Sequence, residues 1–250
     1  MRCKLICLMS SLFFVFNANA LEVCGDLKQG ELLVIKDGQK TSLVALRRDE
    51  KSPYRFGKIK FDVAETSWDV QSIKGVAQSK VTPAKTDEAE ILRERKDLGK
   101  VLNVKNEKRH DWQKGFIVPV DGVISGNFGN QRIFNGIPKS PHTGTDIAAS
   151  EGTEVKAAAD GKVLLAGGNY FYSGNMVVLD HGDGLQTIYA HLKEAKVKVG
   201  DEVKQGDVIG LVGKTGRATG PHLHWGASAH NVRFRPHSLL DINTKECRSF

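Results

Sequence analysis

A chain of 250 residues, 40% hydrophobic and 26% charged, with 26 glycines and 7 prolines, has a globular composition. Collagen-like, low-complexity and wholly disordered chains are excluded, and the length fits one large domain or two modest ones. Lys and Arg number 36 against 29 Asp and Glu, a net +7 that suits an acidic partner but falls short of a nucleic-acid-binding composition.

Met1–Ala20 reads as a cleaved signal peptide rather than as part of the fold. Arg2 and Lys4 open it, Leu5–Phe16 is largely apolar, and Ala18-Asn19-Ala20 is a small-residue cleavage pattern. The apolar run falls short of the roughly 20 residues that a membrane span needs. Glu22-Val23 ahead of Cys24 does not fit a lipidated cysteine. Export places the rest of the chain in the periplasm, the cell wall or the medium, with no stable membrane insertion after cleavage. The leader carries two cations and no acids, so the remainder keeps +5. Cys3 and Cys7 leave with it, and Cys24 and Cys247, near opposite ends of an exported chain, are expected to pair.

Residues 21–84 alternate short apolar runs (Glu31–Ile35, Ser42–Leu46, Phe61–Val63) with turns such as Asp37-Gly38, the pattern of a small all-β unit. It holds no histidine, and its expected role is positioning or regulation. Over 85–115 the pattern changes to a connecting helix. Asp87 and Glu90 resemble a capped start, and Ile91, Leu92, Leu98, Val101 and Leu102 recur at roughly helical spacing. Arg93, Glu94, Arg95 and Lys96 read as its solvated face. From about 116 the chain turns to β again: Val118–Val120, Val155–Ala157, Gly161–Leu165, Met176–Leu179, Thr187–Tyr189 and Val208–Val212, punctuated by Asp-Gly and Gly-Asp turns. This predicts a compact antiparallel domain.

Five of the eight histidines lie between 142 and 224. His142 and Asp146 stand four apart, with Gly144 between them to let the backbone bend until both reach one ion. His222 and His224 stand two apart, which on a strand puts them on one face. His191 ends a β-run. Imidazole and carboxylate suit Zn²⁺, whose catalytic sites use three protein ligands and leave a position open. Four His and one Asp exceed that number by two, which suits a hydrolytic site needing bases beside its water rather than a closed structural site. The residues alone leave open whether His222 or His224 holds the metal.

At these residues the C-terminal region resembles the lysostaphin-type zinc metallopeptidases, secreted bacterial endopeptidases that cut peptide bonds in peptidoglycan. Their pattern, His-x-x-x-Asp, a separate His, then His-x-His, falls on His142, Asp146, His191, His222 and His224. Gly126–Gly129, Val197–Gly206 and Gly213–Pro221 resemble the flanking family segments, so the resemblance spans roughly 116–240. It implies one zinc ion bound by His142, Asp146 and His224, with His191 and His222 as the catalytic imidazoles that are not ligands. It also implies a mainly β fold: an antiparallel peptidase sheet with a groove, here preceded by the small β domain and the helix. A tyrosine that some members carry before the first ligand is missing from Asn135–Pro141, and Arg132, Asn135 or Tyr170 are the candidates to contact substrate in its place.

The expected order is leader 1–20, β domain 21–84, helical linker 85–115, zinc peptidase domain 116–240 and C-terminal tail 241–250. The expected partner is a peptidoglycan peptide and not nucleic acid, with the N-terminal region a candidate to occlude the groove of its own chain. Two other readings compete. A non-catalytic regulator of another cell-wall hydrolase, built on the same fold, would typically have lost metal ligands, whereas all five positions are intact. A lipoyl- or biotin-carrier domain shares the Val197–Val212 hairpin pattern, but it would need a modifiable lysine on a tight turn and would leave the histidines unexplained.

Overall fold

The computed structural model describes residues 21–250; the leader read over Met1–Ala20, with Cys3 and Cys7, lies outside the described residues. Among the described residues no helix is long and apolar enough to cross a membrane.

The N-terminal strands β1 (Glu22–Cys24), β2 (Leu32–Asp37) and β3 (Lys40–Ala45) form an antiparallel sheet with the last strand of the chain, in the order last strand-β1-β2-β3. The near-continuous apolar runs at Leu32–Ile35 and Leu43–Leu46 follow from burial on both faces, as in any sheet covered on each side. Val23, Leu33, Ile35 and Val44 enter a small core with Phe61 and Val63, while the alternate residues Cys24, Leu32, Val34, Leu43 and Ala45 join the main core of the C-terminal domain. The small β unit therefore shares a core with the domain that follows. A hairpin of β4 (Tyr54–Phe56) and β5 (Ile59–Phe61) and a strand β6 (Val70–Ile73) come next, then the short α1 (Gln78–Val81) and the connecting α2 (Glu88–Leu102).

In α2 the apolar positions fall on one side, with Ile91, Val101 and Leu102 buried and Leu98 partly so. Leu92 departs from that stripe and is 53% exposed. Val101 and Leu102 pack on Leu165, Met176, Val178, Ile188 and Ala190, the alternating residues of one sheet face. Two expectations for this segment are corrected. The Asp87 carboxylate turns back to accept from the Ala84 N–H at 2.9 Å and makes no cap bond to α2. Glu94 is not part of a solvated face, being only 6% exposed.

The strands that follow are β7 (Val123–Gly126), β8 (Gln131–Phe134), β9 (Ile137–Pro138), β10 (Gly144–Ala148), β11 (Glu154–Lys156), β12 (Gly161–Tyr170), β13 (Gly174–Asp180), β14 (Leu185–Leu192), β15 (Glu194–Ala195), β16 (Glu202–Val203), β17 (Val208–Leu211), β18 (His222–Ala229), β19 (Val232–Phe234) and β20 (Cys247–Ser249). Val118–Val120, read as a β-run, lies outside the strands. The main sheet runs β16-β12-β13-β14-β18-β10-β7, with β19 beside β18, and every pairing in it is antiparallel. One face carries the main core, centred on Leu223, Trp225, Ala227, Leu179, Tyr189 and Phe234. The opposite face carries the histidines.

Two contacts cross the segment boundaries read from the sequence. Strand β6 pairs in parallel with β8, Val70 opposite Gln131 through Ile73 opposite Phe134, so an N-terminal strand builds part of the wall beside the histidines. Strand β20, within the expected tail, pairs with β1 and sets Cys247 directly opposite Cys24, where the two sulfurs bond at 2.09 Å.

Candidate metal centre

Strand periodicity builds the centre. Along β18, Leu223 and Trp225 point into the core and are fully buried, so His222 and His224 must share the other face. Strand β10 lies beside it in a register that sets Asp146 directly opposite His224. On the other side β14 pairs Ala190 with His224, and His191 follows at the strand end. His142 comes from the loop before β10, held by its own N–H to the Asn130 carbonyl and by the Gly129 N–H to its carbonyl, both at 2.9 Å.

Three atoms converge. Asp146 Oδ1 lies 3.0 Å from His142 Nε2 and 2.9 Å from His224 Nδ1, and the two nitrogens are 3.0 Å apart. A hydrogen on any one of them can serve one neighbour only, so a triangle of this kind suits a shared cation. A tetrahedral ion with bonds of about 2.0–2.1 Å spaces its ligand atoms roughly 3.3 Å apart. His142 Nδ1 lies 2.9 Å from the Asn127 carbonyl, which can only accept, so that nitrogen carries the hydrogen and Nε2 presents its lone pair. Two imidazoles and a carboxylate make a donor set that can hold a metal ion. Burial pushes the Asp146 carboxyl up, but the adjoining His142 and His224 imidazoles outweigh that and hold it well below the ordinary carboxylate value.

Two glycines make the approach possible. A Cβ at Gly144 would stand 2.7 Å from His224 Nε2 and 2.5 Å from the Trp225 carbonyl oxygen. Gly144 sits inside β10 rather than at a bend, so its part is to leave room for the His224 ring, which corrects the turning role expected of it. A Cβ at Gly126 would meet Arg132 Nη2 at 2.7 Å and Asp146 Oδ2 at 3.0 Å. In the space it leaves, Arg132 Nη2 donates to Asp146 Oδ2 at 2.6 Å, so the carboxylate is gripped from both sides.

His191 and His222 flank the triangle with ring centroids 4.8 Å apart. His191 Nδ1 lies 2.9 Å from the Thr215 carbonyl and His222 Nδ1 2.9 Å from the Gly220 carbonyl, so both rings leave Nε2 without a hydrogen. His222 Nε2 is 3.8 Å from Asp146 Oδ1. His191 takes the left-handed backbone region at φ 62°, a strained choice for a residue with a side chain, and its N–H donates to the Ser173 carbonyl. Burial, then the imidazoles of His222 and His224, push its pKa down to about 3.

These residues line an open cavity of about 450 Å³ whose walls include Gln71, Ile73 and Val76 from the N-terminal segment. The three candidate substrate contacts divide. Arg132 lines the cavity, engaged with Asp146. Asn135 is spent on the backbone, its amide donating to the Val76 carbonyl at 2.7 Å and its oxygen accepting the Val76 N–H. Tyr170 faces α2, where its hydroxyl donates to Asp97 at 3.0 Å under the Arg93 guanidinium. Neither Asn135 nor Tyr170 lines the cavity.

Among the wall residues to which the sequence reading gave no part in the site are Tyr172, Arg217 and Glu94. No local signal marks Glu94, since it stands among charges on a helix. Its carboxylate accepts the Tyr172 N–H at 2.8 Å, the Ser173 N–H at 3.0 Å and the Ser173 hydroxyl at 2.6 Å. The same two residues offer their carbonyls to the Arg217 and His191 N–H groups. The connecting helix thus braces the loop on which His191 and Arg217 rest. Replacing Glu94 with alanine strands two half-buried N–H donors and is expected to lower the unfolding free energy by about 2–3 kcal/mol. Urea unfolding measures this, and an unchanged midpoint would refute it.

Residues 140–236 match the model of peptidase family M23. The chain is 43% identical over 128 residues to peptidoglycan DD-endopeptidase ShyA of Vibrio cholerae, covering 50% of this chain and 29% of that protein. It is also 46% identical over 98 residues to DD-carboxypeptidase/endopeptidase Mpg of Neisseria meningitidis, covering 39% of this chain and 22% of that one. The chain therefore spans less than a third of the length of these curated relatives. Among solved structures, a chain described as an M23 peptidase of Pseudomonas aeruginosa superposes with a TM-score of 0.63 at 29% identity, covering 89% of each chain. The catalytic domain of lysostaphin from Staphylococcus simulans is 35% identical, with 48% of this chain and 92% of that one covered and a TM-score of 0.43. Residues 140–236 therefore form a peptidase family M23 domain.

Proposed function

We propose that the protein is an exported, zinc-dependent endopeptidase that hydrolyses peptide bonds in peptidoglycan. The observation that carries this reading is the donor triangle of His142, Asp146 and His224 within 3.0 Å, faced by two further imidazoles whose Nε2 atoms carry lone pairs. His142, Asp146 and His224 would hold a single Zn²⁺, which supplies a Lewis acid and a bound water whose pKa falls to about 7.

The chain's own groups do the rest. Arg132 and the two ligand imidazoles fix the Asp146 carboxylate, and the Asn127 carbonyl fixes the tautomer of His142. Hydrolysis adds hydroxyl to the carbonyl carbon of the scissile amide and returns a proton to the leaving nitrogen. His191 and His222 each present Nε2 to the groove with Nδ1 anchored on a backbone carbonyl. Either can take the proton there, stabilise the developing oxyanion as the protonated ring, and then release that proton to the leaving amine.

Export is supported by the Cys24–Cys247 bond, which persists in oxidising compartments. Peptidoglycan as substrate is supported by the names of the relatives. The direct test digests purified sacculi with and without excess chelator and reads the released fragments by mass. Fragments are expected without chelator, none with it, and recovery when zinc is returned in excess. Undiminished digestion in chelator would overturn the reading.

A further inference from the structure

The cavity wall carries more positive charge than the centre uses. Arg132, Arg217 and Arg233 all line it, against two carboxylates, Asp146 and Glu94. Asp146 is committed to the imidazoles and to Arg132, and Glu94 to the backbone of Tyr172 and Ser173. Neither Arg217 nor Arg233 makes an ion pair among the described residues, and Arg233 Nη1 is buried without a partner.

Arg217 is the better placed of the two to meet a ligand. Its guanidinium lies 4.6 Å from the ring centre of Phe134 and 4.5 Å from that of Tyr172, packed against both rings in the cavity wall. Its N–H donates to the Tyr172 carbonyl at 2.8 Å, and Thr215, two residues earlier, holds His191 through its carbonyl. The loop that bears Arg217 is therefore the loop that orients a proposed catalytic imidazole. Burial lowers the Arg217 pKa from its ordinary value, and the Glu94 carboxylate, which partly offsets this, forms no ion pair with the group and is spent on the Tyr172 and Ser173 N–H groups. A planar guanidinium kept half-buried, stacked and without an anion is preorganised for a carboxylate, which it binds through two parallel hydrogen bonds.

We infer that Arg217 is a specificity-determining residue that binds a free carboxylate of the substrate peptide flanking the scissile bond. This rests on the peptidase reading above. The substrate class is accordingly an anionic peptide, and blocking that carboxylate as its primary amide removes recognition.

The test uses two cross-linked peptides identical except that the carboxylate beside the bond to be cut is free in one and amidated in the other. The zinc-loaded protein is expected to prefer the free acid by about 10–100-fold in kcat/KM, the range of a charge-assisted pair. Arg217→Gln is expected to bring that ratio to within about threefold by losing only on the free acid, and Arg217→Lys to restore part of it through charge without the fork. Equal cleavage of both peptides by the parent protein, or an unchanged preference in Arg217→Gln, would overturn the inference. Calorimetric binding of the same pair to His222→Ala, with and without Arg217→Gln, gives a readout independent of turnover. If the parent cuts neither peptide the peptidase reading fails, while the binding ratio still decides the role of Arg217.

Discussion

Asp146→Ala is expected to abolish cleavage and to weaken zinc binding by at least about 100-fold, more than the loss of a supporting hydrogen bond alone produces. Oδ1 lies 2.9 and 3.0 Å from the other two donors and carries the only negative charge among the three, and Oδ2 is the partner of Arg132 at 2.6 Å. Removing the carboxylate leaves two imidazoles and, beside them, a cation with nothing to neutralise it. A guanidinium facing the vacated position repels a divalent ion that the carboxylate had attracted. Competition with a chromophoric chelator measures the affinity, and sacculus digestion measures the activity. Zinc retention at the parental level would remove Asp146 from the ligand set.

The second large effect falls on His191 and separates chemistry from metal binding. Alanine is a poor probe there, because the residue sits at φ 62°, where a side chain other than asparagine or glycine is strained. His191→Asn keeps the backbone and removes the base. It is expected to lower kcat by about 10²–10⁴-fold, the usual contribution of a positioned proton-transfer group, with zinc affinity held within a few-fold. His222→Ala should behave alike, since its Nε2 stands 3.8 Å from the nearest donor oxygen of the triangle. A variant that lost zinc in proportion to activity would make the residue a ligand; one that kept full activity would leave it without a part in the reaction.

The local readings rest on periods that need no tertiary knowledge. Two histidines separated by one residue on a strand share a face because side chains alternate, and the apolar Leu223 and Trp225 between and beyond them identify which face is the core. The apolar stripe of α2 is legible in the same way, from its recurrence every three or four residues. The double burial of Leu32–Ile35 is legible only in part. A continuous apolar run announces two covered faces without saying that one belongs to the neighbouring domain.

What escaped has a common physical origin, which is separation along the chain. Glu94 looks like every other charged residue on its helix, and only the docking of α2 against Tyr172 and Ser173 makes it a buried acceptor. Tyr170 and Tyr172 stand two apart, yet the first turns its hydroxyl to Asp97 on α2 and the second stacks on Arg217 in the groove wall. The space at Gly144 is defined by His224, eighty residues away in sequence.

Residue types and short periods by themselves determined the mainly β character, the presence of a His- and Asp-rich site and the shared face of His222 and His224. Tertiary structure alone decided that β10 lies beside β18 in the register that sets Asp146 against His224, and that β14 brings His191 to their flank. It also decided which nitrogen of each ring is tied to a carbonyl and which carries a lone pair. Sheet order and register depend on how whole faces pack, a property of the assembled core that no local stretch of chain encodes.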